Sequence, residues 1–347
     1  MDARMPLHLA LLFPLLYVTA AAQSSGAVTT AATPRTMQMD VVVTQRAGAP
    51  VAGLHAHDFV VLDNKVAQPL TSFHGYEGSK EPVEVILLVD SVNTAFRHVA
   101  YERTEIDKFL ALNGGKLSQP MTLAILTDEG VRKQPGYTMD GNAIAASLDK
   151  ETIGLREITR DTGFYGAGER ADISVNALRQ LLTYEATRPG RKVILWVSPG
   201  WPLLPGTQGF LTGGQETQIF GEIVSISDLL RQAQTTVYDI NPLGPGEEVE
   251  DTFEYLDFIK GVKKPYDSNL GNLSLQVIAR ESGGLVLTGN SDIAGMLTRC
   301  MTEAGAYYTL AYDPPASRGK NEYHDIEVQV GEHGLTARTR TGYYTAP

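Results

Sequence analysis

The sequence predicts an α/β fold, a doubly wound and mostly parallel sheet, with a β-rich companion domain built from strands at the two ends of the chain. Three observations carry that expectation. Val83 to Val89 and Lys192 to Val197 are almost continuously apolar, as in strands covered on both faces. Helical stretches alternate with such runs, the pattern of a parallel sheet flanked by helices. At both ends of the chain the helical pattern gives way to short strands alone.

From the amino-terminal side, Met37, Met39, Val41 and Val43 recur at the strand period of two, and Arg46-Ala47-Gly48 with Pro50 supplies a turn. Asp58 to Leu62 and Leu70 to Phe73 are further short strands, so residues 37–78 form a small β unit. Gly78-Ser79-Lys80-Glu81-Pro82 separates it from the α/β region, residues 82–305. There the strand at Val83 is followed by a helix over 101–112, a strand over 121–127 and helices over 142–148 and 173–184. Next come a strand over 192–197, a helix over 222–233 and a strand over 236–240. A helix over 273–281, a strand over 285–287 and a helix over 293–303 complete it. Residues 306–345 return to strands at 307–312, 325–330 and 335–340, expected to pair with those of 37–78.

The chain has 347 residues, 43% hydrophobic and 20% charged, enough to bury a core. Its net charge of -11 is the wrong sign for neutralising phosphates, which excludes nucleic acid as a partner and disfavours anionic membrane surfaces. Arg4, the apolar run Leu7 to Val18 and Ala20-Ala21-Ala22 read as a cleaved export signal over 1–22. Residues 23–36 are small and polar, a disordered leader. The protein is therefore expected to be exported, periplasmic or extracellular, without stable membrane insertion after cleavage. Cys300 is the sole cysteine and has no partner for an internal disulfide; apolar neighbours Leu297 and Met301 mark it as a buried, inert thiol.

In open parallel sheets ligands bind beyond the carboxyl ends of strands, above all where strand order reverses. The first core strand ends in Asp90-Ser91-Val92-Asn93-Thr94, whose carboxylate, hydroxyl and amide oxygens suit Mg²⁺, Mn²⁺ or Ca²⁺. The alternative is that Asp90 caps the following segment and its neighbours make loop hydrogen bonds. Other motifs carry less. Gly166-Ala167-Gly168-Glu169-Arg170-Ala171 has dinucleotide-type spacing, but no buried strand precedes it, so a flexible glycine loop is expected. Gly114-Gly115 ends a helix. His55 and His57 find no third ligand and belong to a surface loop. Glu247-Glu248-Val249-Glu250-Asp251 begins a solvated helix. Neither a nucleophile elbow nor a paired-histidine zinc motif occurs.

Asp90 to Thr94 resembles the first loop of a von Willebrand factor A domain, whose metal-ion-dependent adhesion site begins Asp-x-Ser-x-Ser. Asp90 and Thr94 match its ends, and Val92 replaces the middle serine. Asp172 stands near the threonine of the second metal loop. Ser198-Pro199-Gly200 replaces the Thr-Asp-Gly of the third, so Pro199 removes an acidic ligand. The flanks, Val41 to Leu54, Asp58 to Asn64, Arg191 to Gly200, Val237 to Gly244, Ala279 to Gly284, Tyr307 to Tyr312 and Arg340 to Tyr344, are similar to the acidobacterial von Willebrand factor A-related family. The resemblance implies a Rossmann-like core and a degenerate adhesion site. In that site Asp90 and Thr94, with Asp172 as substitute ligand, hold a cation that takes a partner's carboxylate. Otherwise the site is vestigial.

The expected function is non-enzymatic protein binding of the adhesion type, with Ser91, Asn93, Ser198 and Trp201 as binding-loop residues. A metal-independent envelope scaffold would use the same fold, with exposed Trp201 and the loop 206–214 as its anchor. A secreted hydrolase is the third class, and no nucleophile, base and orienting group stand at recognised spacing for it.

Overall fold

A computed structural model describes residues 36–45, 48–77, 83–151, 164–201, 211–243, 254–317 and 319–345. The export signal, nearly all of the leader, the acidic stretch 247–251 and positions 206–210 lie outside the described residues.

In chain order the strands and helices are β1 (Met37–Gln45), β2 (Phe59–Asp63), β3 (Val66–Gln68), β4 (Leu70–Glu77), β5 (Glu84–Asp90), α1 (Phe96–Leu110), β6 (Lys116–Thr127), β7 (Gly130–Lys133) and β8 (Thr138–Asp140). They continue with α2 (Gly141–Leu148), α3 (Phe164–Glu185), β9 (Lys192–Val197), α4 (Gly213–Gln232), β10 (Thr235–Ile240), α5 (Leu275–Glu281) and β11 (Val286–Leu287). The series closes with α6 (Ile293–Ala304), β12 (Ala306–Tyr312), β13 (Tyr323–Val330), β14 (Leu335–Arg338) and β15 (Gly342–Tyr344).

The architecture is α/β. A seven-stranded sheet runs β11-β10-β9-β5-β6-β7, with β8 also on β6. Its pairs from β11 to β6 are parallel, whereas β7 and β8 are antiparallel to β6. Strand parity divides the core. Val85, Leu87 and Val89 join the apolar layer that includes Ile106, Ile144 and Leu297 of α1, α2 and α6. Ile86 and Leu88 join the layer that includes Leu178, Ile223 and Ile278 of α3, α4 and α5. Both faces of β5 are thus dry, which is why its sequence is a continuous apolar run. Cys300 is fully buried among the first layer, and burial pushes its thiol up.

Local sequence sets the helix starts. Asp140 caps α2, Ser274 caps α5 and Asp292 caps α6, each accepting from a backbone N–H of the first turn. Thr212 and Gln215 form a reciprocal capping box on α4.

The terminal segments form two antiparallel four-stranded sheets, β14-β1-β12-β4 and β15-β13-β2-β3. Met39, Val41, Leu310 and Tyr308 from one and Val61, Ile326 and Val328 from the other close a separate core. Amino-terminal and carboxyl-terminal strands are interleaved, since β12 lies between β1 and β4, and β2 between β13 and β3.

Three expectations change. The glycine loop over 166–171 is instead the start of α3: Gly166 and Ala167 are buried, and packing outweighs a helix penalty of about 1 kcal/mol per glycine. β7 and β8, too short and polar to read from periodicity, each pair antiparallel with β6 and add an antiparallel edge. The last strand divides at Thr339 to Thr341, and β14 and β15 enter different sheets.

Candidate functional site

After β5 the chain feeds β6 on one side, and the next parallel strand, β9, docks on the other. The switch point therefore lies between the ends of β5 and β9, where Asp90 and Ser198 stand. Asp90 is fully buried, and its side chain falls on the α3–α4–α5 side by parity with Ile86 and Leu88.

The Asp90 carboxylate accepts five hydrogen bonds. Oδ1 takes the backbone N–H of Val92 at 2.8 Å and of Asn93 at 2.9 Å. Oδ2 takes Asn93 Nδ2 at 2.8 Å, Trp196 Nε1 at 3.2 Å and Ser198 Oγ at 2.7 Å. A carboxylate offers about four lone-pair sites, so this one is saturated. Around it, Asn93 Nδ2 also donates to Ser174 Oγ at 2.9 Å, and Ser198 Oγ accepts from Gly200 N at 2.9 Å. Gly200 has φ +77°, and a Cβ there would meet the Gln276 amide at 2.7 Å, so the turn after β9 requires glycine. Ser91 ties the same loop to β6, its Oγ donating to Leu126 O at 2.5 Å.

A second set of polar atoms lies beside the first. Thr94 Oγ1, Asn93 Oδ1 and both carboxylate oxygens of Glu102 are buried without a well-formed hydrogen bond, and the Thr94 hydroxyl interacts with the Glu102 carboxyl. Burial first, and the neighbouring Asp90 charge second, raise the Glu102 carboxyl well above its usual range, while nearby Thr94 lowers it.

The structure brings Asp90, Asn93 and Ser198 into one network and leaves two expected residues out. Asp172 is exposed on α3; Ser174, about 200° round the helix from it, is the residue that faces the loop. Asp172 thus stands outside this network, and partial desolvation of its carboxyl, then the Glu169 charge, raises its pKa. Trp201 is only 4% exposed and its indole N–H donates to Leu273 O at 3.1 Å, so it is a core residue and no exposed anchor. Val92, in place of the middle serine, packs in the same apolar layer as Trp196 and Trp201.

Trp196, Ser174 and Glu102 are the members that sequence reasoning missed. Trp196 and Ser198 are two apart on one strand and share a face; that face turns to Asp90 only through the pairing of β5 with β9, which alternation alone does not reveal.

A cation on Asp90 does not fit this donor set, since each carboxylate oxygen already meets N–H or O–H groups. The buried oxygens of Asn93, Thr94 and Glu102 are of the type that Mg²⁺, Mn²⁺ or Ca²⁺ prefer. No group of three or more His, Cys, Asp or Glu arranged for a metal occurs among the described residues, nor is any helix among them long and apolar enough to cross a membrane.

No protein-family model matches the chain. No curated protein matches it either. Solved structures similar to it include the human COPII-coat protein Sec24c, at 10% identity over 78% of this chain and 44% of that one, with a TM-score of 0.35. The pilus adhesin SpaC from Lactobacillus rhamnosus GG, in its open conformation, is 8% identical over 85% of this chain and 49% of that one, with a TM-score of 0.38. The TFIIH p34 N-terminal domain is 14% identical over 63% of this chain and 96% of that one, with a TM-score of 0.25. The chain spans about half the length of the first two.

Proposed function

We propose that the chain is an exported, non-enzymatic protein-binding module of the von Willebrand factor A type whose strand-end rim works without a cation on Asp90. The observation that carries this reading is the saturated Asp90 carboxylate: Trp196 Nε1, Ser198 Oγ and Asn93 Nδ2 supply the positive ends that a metal would otherwise present. Export rests on the amino-terminal sequence, and the adhesion-type role on the resemblance of the Asp90 loop and its flanks. Ser91 and Asn93, half-buried at the rim, are the residues of the network nearest to a docked partner.

Calorimetric titration with Mg²⁺, Mn²⁺ and Ca²⁺ tests the reading. The expected result is no binding heat, and an unchanged melting temperature in EDTA. Stoichiometric heat that disappears in Asp90→Ala overturns it. Partner binding is tested by retention of envelope proteins on the immobilised chain, in EDTA and in Mn²⁺, with Asn93→Arg as the rim variant. Retention that is equal in both buffers and lost in the variant is expected; retention only in Mn²⁺ overturns metal independence.

A second reading places the cation one step away, on Thr94 Oγ1, Asn93 Oδ1 and Glu102. The burial of these oxygens without a well-formed hydrogen bond favours it. Binding heat that survives Ser198→Ala and is lost in Glu102→Gln distinguishes it from a cation on Asp90.

A further inference from the structure

At the opposite end of the parallel sheet, where β10 begins, Arg340 lies between two small cavities. One has about 20 Å³ of room and is lined by Gln38, Asp40, Arg231, Gln234, Thr236 and Arg340. The other, about 10 Å³, lies against α4 and is lined in part by Ser227, Glu281 and Arg340. Arg340 is 8% exposed, and no hydrogen bond or ion pair engages its side chain among the described residues.

A buried guanidinium without a counter-ion is costly, because transfer from water penalises an unpaired charge. The nearby carboxylates are already committed. Asp40 lies 3.2 Å from Arg191 Nε and accepts from Thr309 Oγ1 at 2.8 Å. Asp228 pairs with Arg231 at 3.2 Å. Three guanidinium groups, Arg191, Arg231 and Arg340, thus share two carboxylates. Glu281, on the smaller cavity, has its carboxyl pushed up to about 8 by burial and is mostly neutral at pH 7. Burial first, and Arg231 second, push the Arg340 pKa down to about 10, opposed by Asp40 and Asp228. Arg231 Nε is itself buried with no hydrogen bond.

The larger cavity exceeds the ~10–15 Å³ that one water-sized group needs. Its wall offers guanidinium, amide and hydroxyl donors, and its one carboxylate is taken. We propose that Arg340 and Arg231 hold one small monovalent anion here, a halide or the carboxylate group of a bound acid, at the junction of β1, the α4–β10 turn and the segment between β14 and β15.

Crystals of the full chain grown in bromide test this directly. An anomalous peak within hydrogen-bond distance of the Arg340 guanidinium is expected; water there, with no anomalous signal, overturns the proposal. In solution, raising chloride at constant ionic strength should raise the melting temperature by roughly 2–4 °C through preferential binding to the folded state. Acetate in place of chloride distinguishes the sources, a larger rise marking a carboxylate site and a smaller one a halide site. Arg340→Gln should abolish both rises, and equal rises in that variant overturn the proposal. If Arg340→Gln does not fold, Arg340→Lys keeps the charge but loses the planar fork of donors, and should weaken the chloride response.

Discussion

Ser198 Oγ donates to Asp90 Oδ2 at 2.7 Å across the point where strand order reverses. The bond joins the ends of two adjacent parallel strands, and its acceptor is a fully buried charge. In an open sheet this gap is ordinarily where a ligand enters. Here the chain fills it with its own donors, so the rim is a braced surface with its charge internally neutralised.

That bracing has a measurable size. A hydrogen bond to a charged group contributes about 1.5–3 kcal/mol, so Ser198→Ala should cost an amount in that range. Asp90→Ala removes the acceptor for five donors, several of them buried, and should cost at least about 3 kcal/mol. Urea unfolding midpoints give both values. A milder effect for Asp90→Ala than for Ser198→Ala would show that the network does not hold the strand ends together.

Glu281 makes the stability dependent on pH. Its carboxyl rises from about 4.5 to about 8 in the folded chain, through burial. Below about pH 4.5 the group is neutral folded and unfolded, and it contributes nothing to the difference. Between there and about pH 8 the unfolded chain ionises while the folded one resists, so folding loses up to about 1.4 kcal/mol per pH unit. Water reaching the half-buried side chain keeps the sum below that ceiling. Glu281→Gln should therefore match the wild-type melting temperature at pH 4 and exceed it at pH 8. A difference that is flat with pH would remove Glu281 as its source.

Much of this architecture was legible in the residues. Val193 to Val197 is apolar throughout and, with Lys192 at its start, is a strand with the expected bounds, because a position dry on both faces leaves no room for alternation. The end of β5 was also legible, since a carboxylate closing a buried apolar run marks a strand end. What the sequence did not carry is pairing. Trp196 and Ser198 face Asp90 only because β9 lies beside β5, and Asp172 and Ser174 are equivalent in a linear reading but opposite on α3. Trp201 was expected to be an exposed anchor; its indole instead finds Leu273 O, a partner more than seventy residues away.

The β-rich part has its own buried charge, which gives the last test. Asp63 on β2 accepts from Tyr312 at 2.8 Å and Tyr343 at 2.9 Å through Oδ2, and its Oδ1 lies 2.7 Å from His324 Nδ1. Tyr312 belongs to one four-stranded sheet and Asp63, His324 and Tyr343 to the other, so the carboxylate ties the two sheets together. Burial, aided by Asp63, raises both tyrosine hydroxyls far above their usual range, and they stay protonated at ordinary pH. Tyr343→Phe removes one of these bonds and should cost about 1–3 kcal/mol. Asp63→Ala removes the acceptor of the Tyr312 hydroxyl, leaves the Tyr343 hydroxyl and His324 Nδ1 with only their mutual 3.0 Å contact, and should cost about 3–5 kcal/mol. Because partners in one network are coupled, the double variant should cost clearly less than the sum of the two single ones. Additive costs in the denaturation midpoints would mean that Asp63 and Tyr343 act independently, and that the sheets are joined by apolar packing alone.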